Sequence, residues 1–392
     1  MSDEFYRLKR LPPYVFAEVN ALKADARARG EDVIDLGMGN PDGAPPAHVI
    51  DKLAEVARNP RAHRYSASKG ISGLRKAQAA YYKRRFSVDL DPDSQVIVTL
   101  GSKEGLANLA QAITAPGDVV LAPNPTYPIH QFGFIIAGVA IRSIPAAPGP
   151  DFFTRLELAM RFTVPKPSVL VIGYPSNPTA HVADLAFYRQ VVDFAREHGL
   201  WVISDLAYAE IYFGEEPTPS ILQVPGADEV AIEFTSMSKT YSMAGWRIGF
   251  AVGNRQLVAA LTRVKSYLDY GAFTPIQAAA TAALNGPQDI VESNRRLYRE
   301  RRDCLVSSFT RAGWALPSPA ASMFVWAPIP EQFRHLGSLE FSKLLLQTAG
   351  IAVAPGVGFG EEGEGFVRLA LVENEQRIRQ AARNVKKLID RG

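Results

Sequence analysis

Cysteine is nearly absent from this sequence of 392 residues, which contains one, Cys304. A single thiol excludes an intrachain disulfide framework, and its place in a helical run predicts a small core residue rather than a nucleophile. Apolar stretches long enough to cross a bilayer are also lacking. The first ten residues have no apolar segment of the kind that secretory signals carry. We therefore expect a reduced, cytoplasmic protein without a membrane partner.

An excess of charge of one sign is lacking too. Lys plus Arg number 43, Asp plus Glu number 40, and the formal net charge is +3. A charge this small and this evenly spread argues against nucleic acid as a partner. Hydrophobic residues make up 47% and charged residues 21% of the chain, as in an ordinary globular protein. At this length, two domains are expected.

Strand and helix patterns alternate from residue 95 onward. Apolar, β-branched runs at 96–100 and 169–172 are predicted as strands, and the segments 102–113 and 184–198 as helices. Strands that are apolar throughout are typical of a parallel sheet with helices on both faces. The predicted class is therefore α/β. Beyond residue 250 helices dominate, and short strands follow.

This change of pattern suggests a domain boundary near Gly286 and Pro287. We predict an N-terminal arm at 1–45 that packs with a small domain. A large domain at 46–286 would hold the parallel sheet, and a smaller α+β domain would occupy 287–392.

The most informative stretch is S-M-S-K-T-Y-S-M-A-G-W-R-I-G-F at 236–250. Lys239 is predicted in the loop that leaves a short buried strand, and Arg247 opens the next apolar run. Ser236, Ser238 and Arg247 place anion donors beside the lysine. An amine that can condense with an aldehyde, next to such donors, suits the phosphorylated aldehyde pyridoxal phosphate (PLP). For Lys239 taken alone, a solvated loop lysine is the ordinary alternative.

Other polar residues follow predicted strands, where open α/β sheets place their ligands. Asp205 ends an apolar strand, where a carboxylate either caps a helix or pairs with a pyridine nitrogen. Asn177 lies in the turn Y-P-S-N-P-T after another strand. Ser102 and Lys103 begin a helix whose free N–H groups and dipole attract phosphate. The spacing there is not that of a nucleotide P-loop.

A charge also interrupts an apolar strand near the C-terminus, in G-F-V-R-L-A at 365–370. Arg368 would be buried there, and a buried guanidinium requires an anionic partner. A protein carboxylate is the ordinary partner, and a planar guanidinium can bind a carboxylate bidentately.

Together these motifs resemble those of the class I and II PLP-dependent aminotransferases, which have fold type I. The lysine stretch fits S-x-S-K-x-x-x-x-x-G-x-R-x-G, Asp205 begins D-x-x-Y, and Arg368 lies in R-[LIF]-x-[LFY]. The resemblance covers almost the whole chain and is nearest to the glutamate–pyruvate (alanine) aminotransferases. L-P-P-Y-V-F, G-M-G-N-P-D and L-D-Y-G-A-F-T-P-I-Q also fit that group. The resemblance implies a mostly parallel seven-stranded sheet in the large domain, and a homodimer with shared active sites.

The resemblance also implies a role for each candidate site residue. The expected catalytic residues are Lys239, Asp205 and Tyr208. The other expected cofactor contacts are Ser102, Lys103, Tyr127, Asn177, Ser236, Ser238 and Arg247, with Tyr65 reaching the phosphate of the second subunit. The expected substrate contacts are Tyr14, Gly39, Asn177 and Arg368, and no metal is expected. For the tyrosines at 14, 65 and 127, ordinary packing or surface exposure is the alternative.

The implied activity is transfer of an amino group between an L-amino acid and a 2-oxo acid. Glutamate or alanine, with pyruvate or 2-oxoglutarate, is the substrate set that the resemblance favours. LL-diaminopimelate and aspartate aminotransferases share the same core motifs and are alternatives. A PLP lyase or synthase would keep the same cofactor residues. A non-enzymatic PLP-binding regulator would require a DNA-binding domain, and the short segment before Leu11 is too small for one.

Overall fold

The computed structural model describes residues 5, 8–13 and 15–390. Short 3-10 turns connect several of its helices and strands. The helices are α1 (Val15–Ala28), α2 (Ala47–Ala57), α3 (Ser72–Phe86), α4 (Ser102–Ile113), α5 (Ile129–Ala137), α6 (Pro150–Phe162), α7 (Leu185–His198), α8 (Met237–Thr240), α9 (Arg255–Leu268), α10 (Thr274–Asn285), α11 (Asp289–Arg311), α12 (Gly337–Ala349) and α13 (Glu375–Ile389). The strands are β1 (Ile34–Asp35), β2 (Val96–Thr99), β3 (Val119–Asn124), β4 (Ala140–Pro145), β5 (Val169–Ile172), β6 (Trp201–Asp205), β7 (Ala231–Ser236), β8 (Gly249–Gly253), β9 (Phe324–Pro328), β10 (Ile351–Ala352), β11 (Ala354–Pro355) and β12 (Phe366–Ala370).

A seven-stranded sheet organises the larger part of the chain, in the order β2-β8-β7-β6-β5-β3-β4. Neighbouring strands from β7 through β4 are parallel, whereas β8 is antiparallel to both of its neighbours. The predicted α/β class and the mostly parallel seven-stranded sheet are therefore confirmed. Because the parallel strands all end at one edge and β8 begins there, the loops at this edge meet.

Helices cover both faces of this sheet, and the strands are apolar on both faces for that reason. In β2, Val96 and Val98 belong to one buried cluster, while Ile97 belongs to the cluster on the opposite face. Successive side chains of a strand point to opposite faces, so a strand covered twice is apolar at every position. The continuous apolar runs in the sequence follow from this arrangement.

A separate buried cluster surrounds the smaller sheets. Strands β11, β12 and β9 form an antiparallel sheet, and α11, α12 and α13 contribute side chains to the same cluster. Strand β1 pairs in parallel with β10, so Ile34 lies beside Ile351. This pairing brings the loop after β1 to the large sheet, where the carbonyl of Gly39 meets Lys239.

The division into segments 1–45, 46–286 and 287–392 stays a prediction. Around its second boundary, α10 packs against α2 and α3, whereas α11 packs against α13. The N-terminal segment contacts both parts of the molecule. Helix α1 packs against α12, and Arg10 donates a hydrogen bond of 2.7 Å to the carbonyl of Val139, just beyond α5.

Two local features differ from the sequence-based expectation. Lys239 lies in the one-turn helix α8 rather than in a loop, because the Ser236 side chain accepts the N–H of Ser238 at 3.1 Å and caps that turn. Helix α6 is present in the structure but was not predicted from the sequence. Its signals are a proline at the first helical position and the buried residues Phe152 and Leu156, one helical turn apart.

Among the helices that the structure describes, none combines the length and the apolar character that a membrane span requires.

Candidate active site

A cavity of 310 Å³ lies at the edge where the parallel strands end. Four of its wall residues come from four different strand ends: Ser102 after β2, Asn177 after β5, Asp205 on β6 and Lys239 after β7. The predicted site residues that line it are Gly39, Ser102, Lys103, Tyr127, Asn177, Asp205, Tyr208, Ser236, Ser238, Lys239, Arg247 and Arg368.

One predicted site tyrosine of the described residues, Tyr65, is not among these wall residues. Tyr65 has 86% of its surface exposed, and its ring centroid lies 4.6 Å from that of Tyr270. Tyr14 lies outside the described residues. The structure therefore does not bring Tyr65 of this chain to the chain's own cavity, and its expected role across subunits stays a prediction.

Lys239 places an amine in this cavity. Its Nζ donates a hydrogen bond of 2.6 Å to the carbonyl oxygen of Gly39. Burial, together with the positive charges of Arg368 and Arg247, lowers the pKa of Lys239 from 10.5 to about 8. The charged form loses hydration and meets like charges, so the neutral form is favoured. The amine is therefore much more easily deprotonated than a surface lysine.

One wall of the cavity collects donors for an anion. Helix α4 begins at Ser102 after Gly101, which has a φ of 86° and supplies no capping side chain. The Arg247 guanidinium occupies the space above Gly101, where a Cβ would collide with it. Ser236 and Ser238 line the same cavity. Free N–H groups, hydroxyls and a guanidinium form the donor set that a phosphate requires.

The start of α4 is anchored from behind by Glu104. Its carboxylate accepts the N–H of Leu100 at 2.8 Å and the Nζ of Lys265 at 3.0 Å. Lys265 is fully buried and also donates to Asp269 at 2.7 Å. Because two carboxylates compensate this buried ammonium, the network fixes the turn at Gly101 relative to α9. The residues of this network are too far apart in sequence to form a recognisable motif.

Asp205 reaches the cavity from the end of β6, and two contacts orient its carboxylate. Oδ1 accepts the N–H of Ala207 at 3.2 Å, and Oδ2 lies 2.9 Å from Nε2 of His130. The other ring nitrogen of His130 lies 2.7 Å from the hydroxyl of Thr126. Neither His130 nor Thr126 is among the site residues that the sequence predicts. A single histidine forms no pattern, and the one available signal was its position three residues after Tyr127.

Arg368 and Asn177 form a second polar group in the cavity wall. Arg368 is buried, and its Nη1 donates to Oδ1 of Asn177 at 2.7 Å. Its Nη2 donates to the carbonyl of Gly37 at 2.9 Å. The guanidinium carbon lies 4.0 Å from the ring centroid of Phe324 and 4.7 Å from that of Phe359. Aromatic faces and neutral oxygens thus hold a cation in a fixed orientation.

Tyr208 is buried beside this group, with its ring centroid 5.6 Å from that of Phe324. Burial raises the pKa of Tyr208 well above its usual value, although the charge of Arg368 and a hydrogen bond with Asn177 act in the opposite direction. The phenol therefore stays protonated near neutral pH and is available as a hydrogen-bond donor.

These side chains fit PLP. The cofactor requires an amine for its aldehyde, a carboxylate for its ring nitrogen, a donor for its phenolic oxygen and a cradle for its phosphate. Lys239, Asp205 and Tyr208 supply the first three, and the start of α4 with Arg247 supplies the cradle. Within the described part of the chain, no three or more His, Cys, Asp or Glu side chains are grouped as a metal site.

The chain matches the family model "Aminotransferase class I and II" over residues 31–385. It belongs to this family, and it is accordingly a PLP-dependent transaminase that acts on amino acids and 2-oxo acids. A protein of Rhizobium meliloti (strain 1021) with the provisional name aminotransferase AatC is 65% identical to this chain. The match covers 99% of this chain and 96% of the Rhizobium protein.

Several relatives carry substrate names. Glutamate-pyruvate aminotransferase AlaC of Escherichia coli (strain K12) is 54% identical over 97% of this chain and 93% of its own length. An LL-diaminopimelate aminotransferase of Moorella thermoacetica is 43% identical over 99% of this chain and 98% of its own length. Among solved structures, substrate-bound BacF from Bacillus subtilis superimposes with a TM-score of 0.91, at 34% identity and with 99% and 98% of the chains covered. The relatives agree on amino transfer and differ in substrate.

Proposed function

We propose that this aminotransferase moves an amino group between glutamate or alanine and pyruvate or 2-oxoglutarate. The observation that carries the choice of substrates is the higher identity to the glutamate–pyruvate enzyme than to the LL-diaminopimelate enzyme. LL-diaminopimelate or aspartate aminotransferase activity is the second candidate, because these groups share the motifs of the chain.

The catalytic roles are proposed for residues that line one cavity. PLP, when bound, supplies an aldehyde that takes up the substrate's amino group and a ring that withdraws electrons from the substrate Cα. Lys239 would hold the cofactor and act as the general base, with its Nζ taking the proton from Cα. Asp205, oriented by His130, would stabilise a positive charge at the ring nitrogen. Tyr208 and Asn177 would donate hydrogen bonds to the phenolic oxygen.

The anion sites are also proposals. Arg368 would bind the α-carboxylate of the substrate, because its planar guanidinium matches a carboxylate and is already fixed in orientation. Asn177 and the backbone of Gly39 would complete that site. Tyr127 would stack on the cofactor ring. The phosphate would be held by Ser102, Lys103, Ser236, Ser238 and Arg247.

We further propose a homodimer in which Tyr65 of one subunit reaches the phosphate site of the other. The exposed pair of Tyr65 and Tyr270 supports this proposal, because large aromatic side chains on a surface are typical of interfaces. The cytoplasmic location stays a prediction.

The substrate proposal is tested by half-reactions of the purified, PLP-loaded protein, followed by cofactor absorbance. Glutamate and alanine are expected to convert the spectrum with kcat/KM at least about tenfold above aspartate and LL-diaminopimelate, a difference of about 1.4 kcal/mol. Pyruvate and 2-oxoglutarate should restore the starting spectrum. Failure of pyruvate as acceptor from glutamate would eliminate the proposed substrate pair. A lyase would form product without any dependence on a 2-oxo acid.

The lowered pKa of Lys239 leads to a pH prediction for the PLP-free protein. The rate of PLP capture should rise with pH through about 8, because the unprotonated amine attacks the aldehyde and becomes the main form above that pH. The measurement is stopped-flow absorbance between pH 6.5 and 10. Butylamine provides the control for titration of PLP itself, and its rate should keep rising to about pH 10. A protein profile that coincides with that of butylamine would refute the prediction.

A further inference from the structure

The cavity extends beyond the groups described above to helix α1. Phe16, Val19, Asn20 and Lys23 occupy one face of this helix at positions i, i+3, i+4 and i+7, and all four line the cavity. Phe16 contacts Phe359 edge-on at 5.1 Å between ring centroids, and Val19 is buried. The other two residues of this face are polar.

Lys23 is oriented by Asp35. The Nζ of Lys23 lies 2.8 Å from Oδ2 of Asp35, and Nη2 of Arg27 lies 3.4 Å from the same oxygen. The side chains of Lys23 and Asp35 are 12% and 17% exposed, whereas that of Arg27 is 52% exposed. Lys23 and Arg27 thus share one carboxylate, that of Asp35. An incoming carboxylate could bind Lys23 while Asp35 keeps Arg27 as a partner.

Two hydrogen bonds connect this charged group to Arg368 through Gly37. Oδ1 of Asp35 accepts the N–H of Gly37 at 3.1 Å, and the carbonyl of Gly37 accepts the guanidinium of Arg368 at 2.9 Å. Glu373 accepts the N–H of Asp35 at 3.3 Å. Two cationic groups therefore face one cavity at a spacing that the loop after β1 fixes.

Asn20 lies three residues before Lys23 on the same wall. Within the part of the chain that the structure describes, its carboxamide makes no hydrogen bond with the protein. The amide nitrogen has two donors, which suit a carboxylate oxygen. A half-buried amide that faces a cavity in this way is available to a ligand.

We propose that Lys23 and Asn20 bind the distal carboxylate of a dicarboxylic substrate, glutamate or 2-oxoglutarate, while Arg368 binds its α-carboxylate. This inference rests on the proposed function. Among the described wall residues the arginines are Arg368 and Arg247, and Arg247 is assigned to the phosphate, so the distal carboxylate needs another cation. Alanine and pyruvate lack the second carboxylate, so they gain nothing from α1. These two residues thereby determine specificity within the substrate pair.

The first test is calorimetric binding of glutarate and butyrate to the PLP-loaded full chain. Lys23→Met keeps the aliphatic stem and removes the ammonium, and Asn20→Leu removes the amide at similar size. We expect Lys23→Met to weaken glutarate binding about 10- to 100-fold, because it removes a hydrogen bond between charged groups. Asn20→Leu removes a hydrogen bond from a neutral donor and should weaken glutarate binding about fivefold. Butyrate affinity should change less than about twofold. Asp25→Asn, at an exposed position of α1, is the matched control.

The second test compares half-reactions of the same variants. The KM for glutamate should rise about tenfold or more in Lys23→Met, with kcat for alanine and its KM nearly unchanged. Equal losses with glutamate and alanine would show a structural role for Lys23 and overturn the inference. Unchanged glutarate binding would overturn it as well.

These failures are distinguishable from failure of the proposed function. If the unaltered enzyme reacts with neither glutamate nor alanine, the proposed function is wrong. Glutarate binding that depends on Lys23 would then still support a carboxylate site on α1, whereas glutarate binding no tighter than butyrate binding would eliminate it.

Discussion

Replacement of Lys239 by alanine is expected to lower kcat/KM for transamination at least about 10³-fold, because it removes both the amine that holds PLP and the proposed general base. The expected loss is this large because the other lysines among the described wall residues, Lys23 and Lys103, come from α1 and α4 and do not take the place of Lys239. Single-turnover absorbance with glutamate measures the loss. Lys239→Arg should behave similarly, since a guanidinium stays protonated and cannot act as the base.

The control for this variant is Lys52→Ala, which removes a lysine on α2 that pairs with Glu55 outside the cavity. It should leave activity unchanged, and circular dichroism should show that the Lys239 variants are folded. Added methylamine should partly restore turnover in Lys239→Ala, because a small free base can enter the vacated space. Transamination retained at more than a few per cent in Lys239→Ala would defeat the assignment.

Replacement of Asp205 by asparagine is expected to lower kcat about 10²- to 10³-fold, with a smaller change in KM. Asparagine keeps the size of the side chain and the oxygen that accepts the N–H of Ala207, but it lacks the negative charge. A neutral partner stabilises positive charge at the ring nitrogen much less, so removal of the proton from the substrate Cα becomes slower. The measurement is the half-reaction with glutamate that carries hydrogen or deuterium at Cα.

The kinetic isotope effect separates this role from a structural one. It should increase in Asp205→Asn, because proton removal becomes more fully rate-limiting. A general loss of folding would leave it unchanged. Asp193→Asn, at an exposed position of α7, is the matched control. Activity of Asp205→Asn within about threefold of the unaltered enzyme would place the ring-facing carboxylate elsewhere.

The strand ends are predictable from the sequence, because the features that mark them are local. Strands that are covered on both faces are apolar at every position, and this pattern is visible without coordinates. Once the strands are parallel, their ends must meet at one edge, which explains why Asp205, Asn177 and Ser102 line a single cavity. His130 is not predictable in this way, since its contact with Asp205 joins residues 75 positions apart and follows no motif.

Amino-acid order by itself determined the chemical groups of this protein and the local turns that present them: the serine-capped turn at Lys239, the start of α4 and the aspartate at the end of β6. These depend on neighbouring residues, whose preferences are short-ranged. Tertiary structure decided which groups meet. Lys239 contacts the carbonyl of a glycine 200 positions away, and the face of α1 with Lys23 becomes a cavity wall only after β1 has paired with β10. Such contacts require packing of the whole chain, because no local preference selects one distant partner over another.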